Sequence, residues 1–167
     1  IAYSLAVDLS YNLVTNDFSN ILQNYSKASL KVGSTAVYED TVYDFGGFRD
    51  RNASEIIKQC DIILIPTIPD ANSIFKTMQV IQEFKDKNIL IVANMIESEK
   101  DKEDITKILT HHFPNIEIQF IKRGKLFKNA SEEKLSPTQL YNKDNFNKHI
   151  YASVFKDYLE LLKRFAR

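Results

Sequence analysis

Four positions in this chain pair a polar side chain with the end of an apolar run, where chemistry is possible. Asp17 closely follows Tyr11-Asn12-Leu13-Val14-Thr15, and Asp44 follows Thr41-Val42-Tyr43 and leads into Phe45-Gly46-Gly47. Asn94 follows Ile89-Leu90-Ile91-Val92-Ala93, and Arg123 lies just past the run from Ile116 to Ile121. A carboxylate at the end of an apolar strand can hold magnesium, directly or through water. Glycines such as Gly46 and Gly47 let backbone approach a phosphate closely. Asp44 can equally be an aspartate that satisfies nearby backbone donors. Asp17 reads first as a helix cap or Asx-turn residue. The amide of Asn94 donates and accepts at once, which suits a purine edge as well as a turn. Arg123 can meet a base, a phosphate or only solvent. Together they form an inventory suited to a nucleotide with a divalent cation.

Other chemistries find little support. His111 and His112 are adjacent on a helix and point in different directions, so they do not make a metal pair. Their place near a helix end favours positive charge, and His149 has no visible partner. There is no HExxH, no CxxC and no Gly-x-Ser-x-Gly, against metalloprotease, zinc-finger and α/β-hydrolase readings. A phosphoacceptor receiver domain would need an acidic cluster after its first strand, and none is seen.

The elements that must position these residues alternate in type. Residues 1–9 read as a helix with Ile1, Leu5 and Leu9 on one side, and residues 11–15 as a short strand. Asp17-Phe18-Ser19-Asn20 breaks the pattern and could cap a helix over about 19–25. Residues 29–40 have no clear pattern. Thr41 to Phe45 reads as a strand, and Asn52-Ala53-Ser54 opens a helix to about Gln59. Asp61 to Pro66 and Asn88 to Met95 are continuous apolar runs, as in strands buried on both faces of a parallel sheet. Between them, residues 70–84 fit an amphipathic helix with Ile74, Met78, Ile81 and Phe84 facing inward. A helix over 101–112, a strand over 116–121 and a closing helix over 146–165 follow. In the last, Ile150, Val154, Tyr158, Leu161 and Leu162 form the expected stripe. The alternation predicts one α/β domain, a doubly wound and mainly parallel sheet flanked by helices. Ligands in such sheets bind beyond the carboxyl ends of the strands, where the four polar positions fall.

Bulk properties bound the function. The 167 residues fit one domain with one core. Hydrophobic residues make up 44% and charged residues 26%, ordinary for a globular protein. The 22 basic and 22 acidic side chains cancel, so binding to nucleic acid or anionic lipid must come from a local patch. Cys60 is the single cysteine, read as a small core residue. One cysteine excludes a disulfide framework within the chain and points to a reducing, cytoplasmic setting. No apolar stretch approaches the roughly 20 residues that span a bilayer. No secretory leader pattern is seen at residue 1, and the sequence does not start with Met, so a longer natural chain is expected.

In their order, the segments resemble the ParA/MinD family of P-loop ATPases. "IAYSLAVD" (residues 1–8) looks like that family's first helix, and "LVTNDFSN" (13–20) the strand and loop of its switch aspartate. "TVYDFGG" (41–47) resembles its Walker B strand and the loop that senses γ-phosphate. "CDIILIPTIPDANSI" (60–74) looks like its aspartate–apolar strand–proline segment. "ILIVANM" (89–95) is similar to the strand ending in a base-recognising asparagine, and "FIKRGKLFKNA" (120–130) to the arginine-bearing segment leading into the next helix. The resemblance implies roles for matching residues. Asp17 would be catalytic and Asp44 would lie near Mg2+. Asn94, Arg123, Gly46 and Gly47 would contact ATP.

There are departures. Phe18 stands where the family usually has proline, and Phe45-Gly46-Gly47 replaces its Thr-Pro-Pro-like segment. Nothing matches Gly-x-x-x-x-Gly-Lys-Ser/Thr, so a phosphate loop and its strand are expected to lie outside these residues. The resemblance further implies an ATP-dependent homodimer that positions plasmid or chromosomal DNA, with an adaptor protein as a possible partner. Lys163, Arg164 and Arg167 would be a nonspecific DNA patch, or simply a favourable basic helix end. A non-catalytic binding module and a MinD-like membrane-associated ATPase are the alternatives. For the latter, the apolar residues of "YLELLKRFAR" are better explained as core packing than as an anchor.

Overall fold

The computed structural model describes residues 2–15, 30–31, 41–45 and 51–165. The helix expected over 19–25 lies outside them, as do Asp17, Gly46, Gly47 and Arg167. In chain order the elements are α1 (Ala2–Asp8), β1 (Asn12–Thr15), β2 (Leu30–Lys31), β3 (Thr41–Asp44), α2 (Arg51–Gln59), β4 (Ile63–Thr67), α3 (Ala71–Glu83) and β5 (Ile89–Ile96). Then follow α4 (Glu99–His112), β6 (Glu117–Lys122), α5 (Leu126–Glu132), α6 (Pro137–Lys143) and α7 (Lys148–Lys163).

Every ladder among the described strands is parallel. They form two three-stranded sheets, in the orders β2-β1-β3 and β4-β5-β6. The α/β class is as expected, but among the described residues no ladder joins β3 to β4.

Both sheets lie between the same two helix layers. On one side, Val42 of β3 and Ile62 and Leu64 at β4 pack against a core that holds Leu5 of α1 and the buried residues of α5, α6 and α7. On the other, Phe45 after β3 and Ile63 and Ile65 of β4 share a core with Ile57 of α2, Ile74 and Ile81 of α3, and Ile105 and Leu109 of α4. The alternation of even and odd residues between the layers is the period-2 pattern of a strand apolar on both faces.

The reasons are local where the elements are well defined. In β5, Ile89 through Ala93 are all buried, as their unbroken apolar run requires. Asp70 caps α3 by accepting from the backbone N–H groups of Asn72 and Ser73, both at 3.0 Å. Ser98 and Asp101 close a reciprocal capping box on α4. Ser136 and Gln139 do the same for α6, with Pro137 in its first turn.

Between β6 and the closing helix stand two short helices, in a stretch whose elements the sequence pattern does not assign, because Glu133-Lys134-Leu135 turns the chain and Ser136-Pro137 restarts it. One expectation changes. In α7 the buried stripe is Tyr151, Val154, Phe155, Tyr158 and Leu161. Ile150 is 47% exposed, at the border of that stripe in the first turn of the helix. The apolar residues at the end of α7, Leu159, Leu162 and Phe165 among them, pack on the core. Cys60 is half-buried rather than fully enclosed, and its Sγ reaches the carbonyl of Ile56 at 3.4 Å.

Candidate functional site

The site residues are placed by strand register. In the first sheet, Asp44 pairs with Thr15, the last residue of β1. It therefore stands at the carboxyl edge of that sheet, two residues along from where β1 runs toward Asp17. In the second sheet, Thr67 pairs with Ala93, and Ala93 with Phe120. Asn94 comes next along β5, at the same edge.

β5 is irregular just there. Its register with β6 shifts between Ala93 and Ile96, a bulge that lifts Asn94 and Met95 out of the ladder. Met95 adopts φ 59°, a left-handed conformation that costs a side-chain-bearing residue energy. The Asn94 side-chain oxygen accepts from the Met95 N–H at 2.8 Å, holding the turned backbone. Met95 itself is 50% exposed. Bulges beside strand ends are a common way to re-aim a side chain at a site.

Arg123 belongs to a different corner. Its backbone N–H donates to Ile96 at 2.9 Å, tying the end of β6 to the end of β5. Its guanidinium pairs with Glu97, both side chains largely exposed. Arg123, Glu97, Ser98, Lys102, Lys122 and Ser153 line an open cavity of about 690 Å³ at the start of α4. Asn94 does not line it, so the structure does not join these two residues in one pocket. No residue pattern points to Glu97 or to Asp157, whose carboxylate accepts from the Lys122 N–H at 3.0 Å. The Ser98-x-x-Asp101 spacing could have signalled the capped helix that forms the cavity wall.

Charge at this edge is locally set. Asp101 accepts from the Glu97 and Ser98 N–H groups, and these bonds hold its carboxyl below the usual range. Its charge also complements the start of α4. Among the described residues no group of three or more His, Cys, Asp or Glu could hold a metal by protein ligands alone. Magnesium does not need such a cage, since one or two carboxylates and phosphate oxygens suffice. Asp44, at a strand end of this carboxyl edge, fits that requirement.

Lys163 and Arg164 of the expected DNA patch lie at the end of α7, and each has an acidic partner. Lys163 pairs with Glu160 at 2.7 Å, and Arg164 with Glu117. Exposed pairs of this kind are weak and exchange readily.

Parallel sheets flanked by helices are the fold that this chain shares with solved structures of MinD and ParA type. Two solved structures are similar over almost the whole chain. The MinD cell division protein of Aquifex aeolicus is 16% identical with a TM-score of 0.57, covering 97% of this chain and 88% of that one. A ParA family ATPase from Chlorobium tepidum TLS is 15% identical with a TM-score of 0.57, covering 96% and 89%. No family model matches the sequence, and no curated relative matches it. No described helix is long and apolar enough to cross a membrane.

Proposed function

We propose that this domain binds ATP with magnesium and works as a partition-type ATPase that positions plasmid or chromosomal DNA through an ATP-dependent homodimer. The observation that carries the reading is the register pairing of Asp44 with Thr15 at the carboxyl edge of a parallel sheet. A carboxylate at that edge stands where open α/β sheets take their ligands. The likeness to the two solved ATPases supports the nucleotide class.

In this reading, bound magnesium would offset the charge on the ATP phosphates. Asp44 holds the ion, directly or through water. Asp17 orients the water that attacks, Asn94 donates its amide to the base edge, and Gly46 and Gly47 let backbone come close to phosphate. Arg123 lies near the nucleotide only if it leaves Glu97, which an exposed pair permits. Lys163, Arg164 and Arg167 give the dimer a salt-sensitive contact to DNA, and an adaptor protein couples it to cargo.

The test is turnover and nucleotide binding in the full gene product. Asp17→Ala is expected to lower turnover by about 100-fold or more while leaving ATP binding intact. Asp44→Asn is expected to weaken binding in magnesium but not in EDTA. Binding without turnover in the unaltered protein would instead favour a non-catalytic module on the same fold. No nucleotide binding at all would remove the proposal.

A further inference from the structure

The cavity between the ends of β5 and β6 holds its charges in pairs. Its lining carries three cations, Lys102, Lys122 and Arg123, against two carboxylates, Glu97 and Glu99. Glu97 pairs with Arg123, and Glu99 with Lys102 at 2.7 Å. Ser98 and Ser153 add hydroxyls to the same wall. Guanidinium, ammonium and hydroxyl groups are the donors that phosphate oxygens take. Here the guanidinium faces one of the chain's own carboxylates instead.

The Glu97–Arg123 pair is not what holds the backbone in place. The Arg123 N–H donates to the Ile96 carbonyl at 2.9 Å, and the Glu97 N–H to the Asp101 carboxylate at 2.9 Å. The bulge with Met95 at φ 59° sets the path of the strand just before Glu97. Both side chains of the pair are mostly exposed, 68% for Arg123 and 59% for Glu97. The pair can therefore open by side-chain rotation alone, with the main chain unmoved. What it decides is which anion the guanidinium meets. An anion of higher charge brought into the cavity competes with Glu97 for the same donors. Arginine suits such an exchange, because its planar fork fits carboxylate and phosphate alike.

We propose that Glu97 is a built-in competitor for Arg123. Its carboxylate occupies the guanidinium until phosphate oxygens displace it, and so it sets how tightly the cavity takes a polyphosphate. Glu97 acts through Arg123 and is a positioning residue. This role rests on the reading of Arg123 as a ligand contact, and adds what regulates that contact. Because exposed pairs are weak, Glu97 tunes affinity severalfold rather than closing the site.

The experiment is calorimetric titration of the full chain with inorganic tripolyphosphate, which has no base or ribose, and in parallel with MgATP. Glu97→Gln is expected to tighten tripolyphosphate binding by about threefold to fivefold. The same substitution beside Arg123→Gln is expected to give no gain, since the competitor then has no guanidinium to release. An equal gain with or without Arg123 would mark a general change of surface charge and overturn the proposal. Unchanged or weaker binding by Glu97→Gln overturns it as well, and so does absence of tripolyphosphate binding to that variant. Failure of the ATP reading looks different. MgATP would then bind to no variant, while the Arg123-dependent gain for tripolyphosphate persisted and upheld the exchange.

Discussion

In the β4-β5-β6 sheet, the first two strands lead within a few residues into helices whose starts are capped by side chains, Asp70 for α3 and Ser98 with Asp101 for α4. In the β2-β1-β3 sheet, the strands are two, four and four residues long. The polar bonds that secure that region come from far along the chain. Asp8, at the end of α1, accepts from Ser136, from Thr138 at 2.9 Å and from the Tyr158 hydroxyl at 2.9 Å. Tyr11, just before β1, donates to the carbonyl of Phe165 at 2.8 Å. One half of the layer is thus specified by neighbours in sequence and the other by long-range polar contacts. The first kind should fail locally and the second should fail as a unit.

Asp8→Ala tests the long-range side and should have the largest effect. Ser136 and Tyr158 are fully buried, and the substitution leaves their hydroxyls without the acceptor. Each buried hydroxyl so stranded costs about 1–3 kcal/mol, giving a loss of about 3 kcal/mol in urea unfolding. Amide exchange should rise first in α1, β1 and β3 and last in β5. Equal acceleration in both sheets would erase the distinction between them. Burial and the Asp8 charge also push the Tyr158 phenol far up, so it stays neutral in the folded protein. A raised folded value means stability present below the ordinary phenol range, near 10, and lost as pH climbs beyond it. Tyr158→Phe should flatten that alkaline decline.

Gly124→Ala tests the packing of α7 on the β6 side. A Cβ at this position would lie 2.4 Å from Cγ2 of Val154, a β-branched and buried side chain with little room to turn. The backbone beside it is fixed by the Arg123 bond to Ile96. Overpacking of this kind costs about 1–3 kcal/mol, and here should push α7 off the β6 side without disturbing α3 or α4. Gly124→Ala with Val154→Ala should recover part of the loss, because the smaller partner makes room.

The same contrast decides what could be read from the residues alone. The burial of Ile89 to Ala93 and the place of Asp44 at a strand end were legible, because apolar runs and their stops are local facts, whereas β5 runs on past Asn94 to Ile96. The bulge at Asn94 and Met95 was not legible, since it arises from register with β6. Nor was the exposure of Ile150, because a helix with apolar residues at several offsets takes its buried face from what it packs against. The pairing of Arg123 with Glu97 was not legible either, since it joins two strand ends 26 residues apart. Which strands are neighbours in a sheet is likewise something no periodicity encodes.

The smallest effect is expected at the cap of α4, where it has a pH signature. Asp101 gains two backbone N–H bonds in the folded chain, and these lower its carboxyl from its ordinary value. A depressed folded value means stability present above the unfolded range, near 4, and lost as pH falls through the lower folded value. Ser98→Ala removes the other half of the box and should cost about 1 kcal/mol at neutral pH. Asp101→Asn keeps an acceptor but cannot titrate, so its stability should follow the unaltered protein less closely below pH 4 and lose less there. Because the cap is local, amides of the first turn of α4 should report it while those of α1 do not. A response at α1 would mean that the cap is coupled to the Asp8 cluster, and the two halves would then be one cooperative unit.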